Sequence, residues 1–499
     1  MKIFPATQMK EWDAATITVQ DILPVQLIER AATACYNWLI LNDRFQKHFH
    51  IFCGKGNNGG DGLALANLLL ENKQHVTIYI LELGRKGSDE FQYYLQKIHK
   101  LTSSIHFIQS HEFFPEIKVN DIIIDALMGT GLNRPLENIA KALVEFINSS
   151  PATVISIDTP SGLLPDKSTK NFTAVNADHT LTFQQYKLAF LLPENEKHCG
   201  KVHLLNIGLD KAFEETHESV YEMPDEEIIK NIIRPRGKFS HKGDYGHACI
   251  IAGSYGMMGA AVLAAKGTCM SGAGKLTCYV PGCGYGIMQA SVPEALCIAK
   301  GDRFIDGLQD LDHFDSVGAG PGLGNNENTN KLLFSIFMKY KKPLLLDADM
   351  LNIIAADKTL LKQVPSGSVI TPHPKEFERL FGKTTDDFEQ LNLAMAVAKE
   401  FHIYIVLKGY HTFICTPFGK GYFNNSGNSG MAKGGTGDVL SGIITGLMAQ
   451  HYPLPEAAIL GVYLHGLAGD FAAKKYTPYA MQASHLVECI PEAWKKLTD

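Results

Sequence analysis

Acidic and amide side chains occur beside glycines at three points in the first half of the chain. Residues 54–62 read GKGNNGGDG, residues 125–135 read DALMGTGLNRP, and residues 158–162 read DTPSG. Glycine lets a backbone approach a bound molecule closely, and a glycine-rich turn between a strand and a helix can hold an anion at the helix N-terminus. The polar side chains beside these glycines could then fix the orientation of the ligand.

Three of these polar side chains are candidate ligands for a cation. Asn58, Asp125 and Ser161 each offer an oxygen atom, and each follows a predicted strand. Sites in open α/β sheets form outside the carboxyl ends of the strands, so we expect the three side chains to meet at one sheet edge. Oxygen donors favour hard cations. One loop carboxylate alone is more often a cap, but three such loops together favour a site.

A second set of candidate residues lies in the last hundred residues. Residues 433–442 read KGGTGDVLSG, a glycine turn that opens directly into an apolar helix. The N–H groups of such a turn and the helix dipole form an anion hole for a transferring phosphoryl group. Asp438 lies at the start of that helix, where it can take a proton from a substrate hydroxyl. Lys408 and Gly409 follow a predicted strand upstream.

Four more loops in the second half carry glycines or polar side chains after predicted strands or before predicted helices. Residues 241–246 read HKGDYG, residues 318–324 read GAGPGLG, residues 347–352 read DADMLN, and residues 371–376 read TPHPKE. Taken alone, His373 is more often a loop histidine with a structural hydrogen bond. In combination the loops favour a second ligand site.

The elements that must position these residues alternate between short apolar strands and helices. Such alternation predicts βαβ units, a parallel sheet and the α/β class. A polar stretch near residues 210–225 interrupts the alternation, and we place a domain boundary there, between residues 1–217 and 218–499. Residues 54–62 are predicted to form a turn, with a helix following from about residue 63.

Composition excludes several other classes of protein. A net charge of −6 over 499 residues argues against nucleic acid as the main partner. Neither a signal-peptide apolar region at the start nor an apolar run long enough to span a membrane occurs. The ten cysteines are scattered, which predicts free thiols in a reducing, cytoplasmic compartment.

The first three motifs, in this order, resemble the NAD(P)H-hydrate epimerase family over residues 1–215; ADHTLTF at residues 177–183 and Lys187 fit the same pattern. The resemblance implies a Rossmann-like domain with three αβα layers, and a potassium ion (K+) held by Asn58, Asp125 and Ser161. It implies that Asp158 contacts the substrate and is the leading acid/base candidate. The residues implied to contact the hydrated dinucleotide are Asn57, Asn58, Gly59, Gly60, Asp61, Gly129, Thr130, Gly131, Leu132, Asn133, Arg134, Pro135 and Asp158.

The later motifs, from HKGxxG to GGTGD, resemble the ADP/ATP-dependent NAD(P)H-hydrate dehydratase family over residues 225–499. The resemblance implies a ribokinase-like domain, also with three αβα layers, that uses Mg2+ with ADP or ATP. It implies that Ala260, Gly322 and His373 line the hydrate site and that Asp438 is the catalytic base. The residues implied to bind the nucleotide are Lys408, Gly409, Tyr410, His411, Thr412, Ser429, Gly434, Gly435, Thr436 and Gly437.

Together the two resemblances imply a repair enzyme for damaged nicotinamide cofactors. It would interconvert the R and S hydrates NADHX and NADPHX, and dehydrate the S form to NAD(P)H at the expense of ADP or ATP. The family habit implies a homo-oligomer. Two alternatives stay open: a vitamin or sugar kinase with an N-terminal ligand-binding domain, and a non-catalytic, protein-binding N-terminal half. The complete ligand set with Asp158 argues against the second alternative.

Overall fold

The computed structural model describes residues 1–42, 44 and 47–499. Two compact units are present. One contains Lys2–Ser219 and Asp386–Phe388, and the other contains Met1, Val220–Thr385 and Glu389–Asp499. Each unit has a largely parallel sheet with helices, which confirms the predicted α/β class. None of the helices in these described ranges has the length and apolarity to cross a membrane.

The N-terminal unit is organised around a seven-stranded sheet in which every neighbouring pair of strands is parallel. The sheet order is β4-β3-β2-β5-β6-β7-β8. The elements of this part of the chain are β1 (Lys2–Ile3), α1 (Ala6–Val19), α2 (Pro24–Leu41), β2 (His48–Cys53), α3 (Asn57–Glu71), β3 (His75–Leu81), α4 (Asp89–Ile98), β4 (Ile105–Ile108), β5 (Ile122–Ala126), α5 (Asn138–Ser149), β6 (Thr153–Ile157), β7 (His179–Phe183), α6 (Glu196–Cys199), β8 (Lys201–Leu205) and α7 (Lys211–Thr216).

Helices cover both faces of this sheet. Ile51 and Ile124 belong to one apolar cluster with α2 and α3, whereas Phe52 and Ile123 belong to a second cluster with α5. Alternate residues of a strand point to opposite faces, and strands buried on both faces read as continuous apolar runs. The result is the expected arrangement of three layers.

Most of the glycine-rich motif, residues 57–62, is helical rather than a turn, which corrects the predicted boundary. Helix α3 begins at Asn57, six residues earlier than expected. Glycine is a poor helix former, but here it is required by close packing. A Cβ on Gly59 would lie 1.8 Å from the carbonyl oxygen of Gly54, and a Cβ on Gly62 would lie 2.5 Å from the Cβ of Ala126. Packing therefore outweighs local propensity.

In the C-terminal unit the strand order is β12-β11-β10-β13-β14-β15-β16-β17-β18-β9. The pairs from β12 to β16 are parallel, whereas β16, β17 and β18 pair antiparallel, which the sequence pattern did not predict. The elements are β9 (Tyr221–Glu222), α8 (Glu226–Ile232), β10 (His247–Ile251), α9 (Met258–Met270), β11 (Lys275–Val280), α10 (Tyr285–Ser291), β12 (Leu296–Ala299), β13 (Ser316–Ala319), α11 (Glu327–Lys339), β14 (Leu345–Leu346), α12 (Asp349–Ala356), β15 (Val369–Ile370), α13 (Pro374–Phe381), α14 (Asp387–Phe401), β16 (Tyr404–Leu407), β17 (Phe413–Cys415), β18 (Gly421–Phe423), α15 (Thr436–Ala449), α16 (Leu454–Ala480) and α17 (Ala483–Thr498).

Helices α9 and α15 pack backbone against backbone, which fixes the start of α15. A Cβ on Gly442 would lie 2.0 Å from the carbonyl oxygen of Ala264, and a Cβ on Gly267 would lie 2.5 Å from that of Val439. Only glycine fits at such distances. The close packing holds the N-terminus of α15, with Asp438 in its first turn, rigidly in the unit.

Candidate active sites

The predicted cation ligands Asp125 and Ser161 are joined directly. The side chain of Asp125 is fully buried in β5. The Ser161 hydroxyl donates to Asp125 Oδ1 at 2.5 Å, and the Ser161 N–H donates to Oδ2 at 2.8 Å. Ser156 donates a third bond to Oδ2 at 2.8 Å. Burial nevertheless raises the pKa of Asp125, because these bonds offset the lost hydration only in part.

Asn58 is the third predicted ligand, and its side-chain amide has unused hydrogen-bonding capacity. The residue is 9% exposed, and neither Oδ1 nor Nδ2 has a partner within the described structure. A Cβ on Gly129 would lie 3.1 Å from the Asn58 Cβ, and the Met128 N–H beside Gly129 donates to Ser161 Oγ. The three loops therefore converge. A buried amide without partners is costly, so Asn58 fits a role in binding an ion or a ligand.

Asp158 and Lys187 form a buried ion pair at the same sheet edge. Asp158 follows β6 with a left-handed φ of 62°, a conformation that is strained for a non-glycine residue and is often found at functional sites. Lys187 Nζ lies 2.5 Å from Asp158 Oδ1 and donates to Thr182 Oγ1 at 2.7 Å. The Lys187 side chain is only 1% exposed. Its charge is therefore balanced by Asp158 inside the protein.

Asp13 is a site residue that the sequence analysis missed. It lies on α1, and burial, with a further contribution from the charge of Asp158, raises its pKa to about 7; Lys187 acts in the opposite direction. Burial, followed by the charges of Asp158 and Asp13, likewise raises the pKa of Asp61. Asp13, with a pKa of about 7 beside an ion pair, is the kind of perturbed carboxyl that is typical of acid–base chemistry.

Some of the remaining predicted epimerase residues are buried, and others are exposed at the rim of the site. Gly59 and Gly60 are buried in the first turns of α3, whereas Asn57 is exposed. The loop after β5 is held by a bond from the Leu132 N–H to the carbonyl of Gly129, while Thr130 is half-buried. The exposed rim consists of Gly131, Asn133, Arg134 and Pro135.

In the C-terminal unit, Asp438 lies among charged side chains from two other segments. Burial is the main cause that raises its pKa to about 7; the charges of Asp347 and Asp349 act in the same direction and Lys408 opposes them. Lys408 Nζ lies 2.9 Å from Asp347 Oδ1. Ser441, one helical turn after Asp438, donates to Asp347 Oδ2 at 2.5 Å. Burial and these neighbours thus give Asp438 a pKa near neutral pH, which suits a general base.

Lys408 is held between two acids that the sequence analysis did not assign to the site. Burial alone would lower the pKa of Lys408, but Asp347 and Glu376 outweigh it and raise that pKa. Lys408 Nζ lies 3.8 Å from Glu376 Oε2. Both acids stand in motifs visible in the sequence, but only the fold brings them to one lysine. Lys408 therefore carries a fixed positive charge between Asp347 and Glu376.

The start of α15 offers free backbone N–H groups. Its N-cap, Gly435, has a φ of 95°, and no side chain caps the helix. A Cβ on Gly435 would lie 2.6 Å from Leu263 Cδ1, whereas one on Gly434 would meet nothing within 4 Å. The N–H groups of a helix start bind anions when no side chain uses them. A Cβ on Gly437 would lie 3.5 Å from Lys408 Nζ, so the lysine faces the start of α15 as well.

Ala260 and Gly322, two of the predicted hydrate-site residues, are neighbours. Gly322 has a φ of 62°, and a Cβ there would lie 3.0 Å from the Ala260 Cβ. The carbonyl oxygen of Gly322 accepts a bond from the Ser254 hydroxyl at 2.8 Å, which holds the two loops together.

His373, the third predicted hydrate-site residue, has the structural role that a lone loop histidine suggests. Its Nδ1 accepts bonds from the N–H groups of Lys375 and Glu376, so it caps α13. Glu376 in turn faces Lys408. The ring is 44% exposed, and its Nε2 lies 3.5 Å from Glu376 Oε1.

The predicted nucleotide-binding residues form a turn and a rim near the start of α15. Thr412 closes the turn by donating to the carbonyl of Gly409 at 3.0 Å. His411 Nδ1 lies 3.1 Å from the carbonyl oxygen of Asn424, while Tyr410 and Ser429 are exposed. The Thr436 hydroxyl donates to carbonyl groups within its own loop, and His465, which the sequence analysis missed, meets the Thr436 carbonyl at 2.9 Å.

Two protein families match separate segments of the chain. The family described as NAD(P)H-hydrate dehydratase matches residues 248–492, and the family described as YjeF-related protein N-terminus matches residues 24–189. Among solved structures, a ribokinase-like superfamily protein from Enterococcus faecalis V583 is 27% identical, with a TM-score of 0.50, over 56% of this chain and 98% of that one. The ribokinase-like prediction is confirmed.

Whole-length relatives carry both segments. The bifunctional NAD(P)H-hydrate repair enzyme of Thermofilum pendens is 31% identical over 100% of this chain and 97% of its own length. The enzyme of that name from Escherichia coli K12 is 33% identical over 88% of this chain and 84% of its own length. The chain belongs to the family of bifunctional NAD(P)H-hydrate repair enzymes.

Proposed function

We propose that the two clusters of carboxylates divide the repair of hydrated NADH and NADPH between them. The domain of residues 1–217 interconverts the R and S hydrates, and the domain of residues 218–499 dehydrates the S form with ADP or ATP. The observation that carries this division is the presence of two separate acids. Asp158 is paired with the buried Lys187, and Asp438 lies under the electrostatic influence of Lys408. Each unit therefore contains its own candidate base and its own fixed positive charge.

In the epimerase site, Asp158 and Asp13 exchange protons with the substrate. The hydrate carries a hydroxyl on C6, next to the ring nitrogen, so removal of the hydroxyl proton lets the C6–N1 bond break and a carbonyl form. Reclosure on the other face of C6 gives the other epimer. Asp158, paired with Lys187, takes the proton. Asp13, whose pKa of about 7 leaves part of it protonated, supplies a proton to the nitrogen.

Asn58, Asp125 and Ser161 fit a potassium ion. Asn58 has a buried amide oxygen without a partner, and the other two residues add a carboxylate and a hydroxyl oxygen. Oxygen donors of this kind suit a hard cation. When bound, the ion supplies positive charge for the phosphates of the dinucleotide.

Replacing Ser161 with alanine is expected to weaken the potassium dependence of epimerisation. The change removes one proposed ligand and the bond that orients Asp125, so the potassium concentration for half-maximal rate should rise about tenfold or more. Ser156→Ala is the matched control, because it also removes a bond to Asp125 but no proposed ligand. An equal shift in both variants would contradict the assignment. The rate is measured in potassium and in choline salts.

In the dehydratase site, Asp438 takes the proton of the C6 hydroxyl. The oxygen then attacks the terminal phosphorus of the nucleotide, and the bridging P–O bond breaks, so that AMP leaves from ADP or ADP leaves from ATP. The N–H groups at the start of α15 stabilise the charge of the transferring group. Mg2+ bound with the nucleotide supplies further positive charge to the phosphates. The ring nitrogen expels the phosphate from C6, and loss of a C5 proton restores NAD(P)H. Lys408 faces the start of α15 and supplies the fixed positive charge of this site.

One assay tests both activities together. Purified protein is given an R/S mixture of NADHX with Mg2+, K+ and either ADP or ATP, and recovery of NADH is followed by its near-ultraviolet absorbance. We expect complete recovery that depends on nucleotide. Recovery that stops at the S fraction would contradict the epimerase assignment, and no recovery would contradict the dehydratase assignment. The same comparison with NADPHX measures cofactor preference.

The proposal also includes a cytoplasmic location and assembly into a homo-oligomer. All ten cysteines are free thiols, which supports a reducing, cytoplasmic compartment. The family resemblance supports a homo-oligomer, whose mass is measured by light scattering.

A further inference from the structure

A group of imidazoles and one carboxylate lies at the amino end of the N-terminal sheet, away from the epimerase residues. His48 and His75 begin β2 and β3, and Asp121 immediately precedes β5. The epimerase loops follow the carboxyl ends of these strands. From His48 to Cys53 the strand extends about 17 Å, so this group needs an explanation other than the epimerase reaction.

The strand register places these imidazoles on one face of the sheet. His48 pairs with His75, and His50 pairs with Thr77. The ring centroids of His48 and His50 lie 4.0 Å apart, and those of His48 and His75 lie 3.9 Å apart. His50 is 3% exposed. Burial of polar rings at such positions is costly unless they find partners.

The separations suit three ligands of one small ion. His50 Nε2 lies 3.1 Å from Asp121 Oδ2, close to the edge of about 3.3 Å that a tetrahedron with Zn–N bonds of about 2.0 Å requires. One ligand atom from each of His48, His50 and Asp121 lies within 4.8 Å of the others. The His48 ring is half-buried, and its Nε2 lies 2.8 Å from Thr77 Oγ1.

Neighbouring groups orient these ligands. Tyr79 OH lies 3.3 Å from His50 Nδ1, and the Lys118 N–H donates to Asp121 Oδ2 at 2.8 Å. Outer partners of this kind are the rule around metal-binding histidines and carboxylates.

We propose that His48, His50 and Asp121 bind a divalent transition ion of the zinc type. Two imidazole nitrogens and one carboxylate oxygen are ligands that zinc accepts, with water in the fourth position. The ion links the start of β2 to the segment before β5, and so stabilises the sheet. Its distance from the epimerase loops makes it a structural ion rather than a reactant.

Cobalt binding by the full-length protein tests the proposal. After treatment with chelator, the protein is titrated with Co2+ in the presence of Mg2+, and visible d–d absorption reports a four-coordinate site. We expect one Co2+ per chain, displaced by Zn2+. His48→Gln and Asp121→Asn should each weaken Co2+ binding about tenfold or more. Absence of the absorption bands, or binding unchanged in both variants, would overturn the proposal.

His75→Gln is the matched control, because its ring stacks on His48 but lies outside the ligand set. This variant should bind Co2+ as the unmodified protein does, and a loss equal to that of His48→Gln would overturn the ligand assignment. Zn2+ should raise the Tm of the unmodified protein and of His75→Gln, but not that of His48→Gln. Asp121→Asn also affects the bond from Lys118, so His48→Gln is the deciding variant. Recovery of NADH from NADHX should be unchanged in His48→Gln.

Discussion

Replacing Asp438 with asparagine is expected to lower nucleotide-dependent dehydration of the S hydrate about a thousandfold, while R and S hydrates still equilibrate. A positioned general base contributes about 10²- to 10⁴-fold, and asparagine keeps the shape of the side chain but cannot take the proton. Dehydration is measured with the S hydrate alone, and epimerisation by chromatography of the two hydrates. Loss of both activities in a folded protein would contradict the division of labour.

The pH dependence gives this prediction a second readout. Asp438 acts in its ionised form, and its pKa is about 7, so kcat/KM for dehydration should rise with pH up to about 7 and then level off. Asp349→Asn is the matched control, because Asp349 contributes to the raised pKa without being the base. Removing that negative charge should move the rise to lower pH. The residual activity of Asp438→Asn should lack the rise altogether.

Asp438→Asn should also stabilise the protein at alkaline pH. Burial raises the pKa of Asp438 from 3.8 to about 7, so the folded state holds this proton more tightly than the unfolded state. The free energy of unfolding contributed by the group is therefore lost as pH rises from about 4 through 7. Since asparagine carries no charge, the variant should have the higher Tm at pH 8 and a smaller gain at pH 5. The opposite trend would show that Asp438 is not a buried acid.

The loops that carry the two sites could be predicted from the sequence because each combines a local strand signal with residues of recognisable chemistry. The loops containing Asp125 and Ser161 follow predicted strands, and the structure joins the two side chains. Asp438 likewise lies in the first turn of the helix that its motif predicts. In such cases, sequence spacing alone determines which end of the sheet a residue reaches.

Other parts of the sites depend on packing between distant segments. Asp13 lies on a helix without glycines or motif residues, and only the tertiary fold brings it near Asp158 and Lys187. Residues 54–62 favour a turn by propensity, but α3 already begins at Asn57, where contacts of Gly59 and Gly62 with neighbouring backbone and side chains favour the helix. His50 reads as one member of an apolar strand, and its pairing with Asp121 emerges only when β2 and β5 are neighbours.

Replacing Asp158 with asparagine is expected to produce the complementary defect: S hydrate is consumed at the normal rate while R hydrate persists. Removal of the base should slow enzymatic epimerisation about 10²- to 10⁴-fold, so that spontaneous epimerisation sets the observed rate. Asparagine retains an oxygen that can accept the bond from Lys187, but it removes the charge that balances this buried lysine. Stability can therefore fall by about 3–5 kcal/mol, as when one partner of a buried pair is lost.

Dehydratase activity, which is measured on the same polypeptide, is the internal control for this loss of stability. The double variant Asp158→Asn/Lys187→Met removes the unbalanced charge as well, because methionine fills a similar volume without an ammonium group. We expect the double variant to recover Tm relative to Asp158→Asn and to remain inactive as an epimerase. If it instead regained epimerisation, the defect of the single variant would be one of folding, and Asp158 would not be the base. If either variant equilibrated the hydrates at the unmodified rate, proton transfer would have to be assigned elsewhere, with Asp13, whose pKa is about 7, as the next candidate.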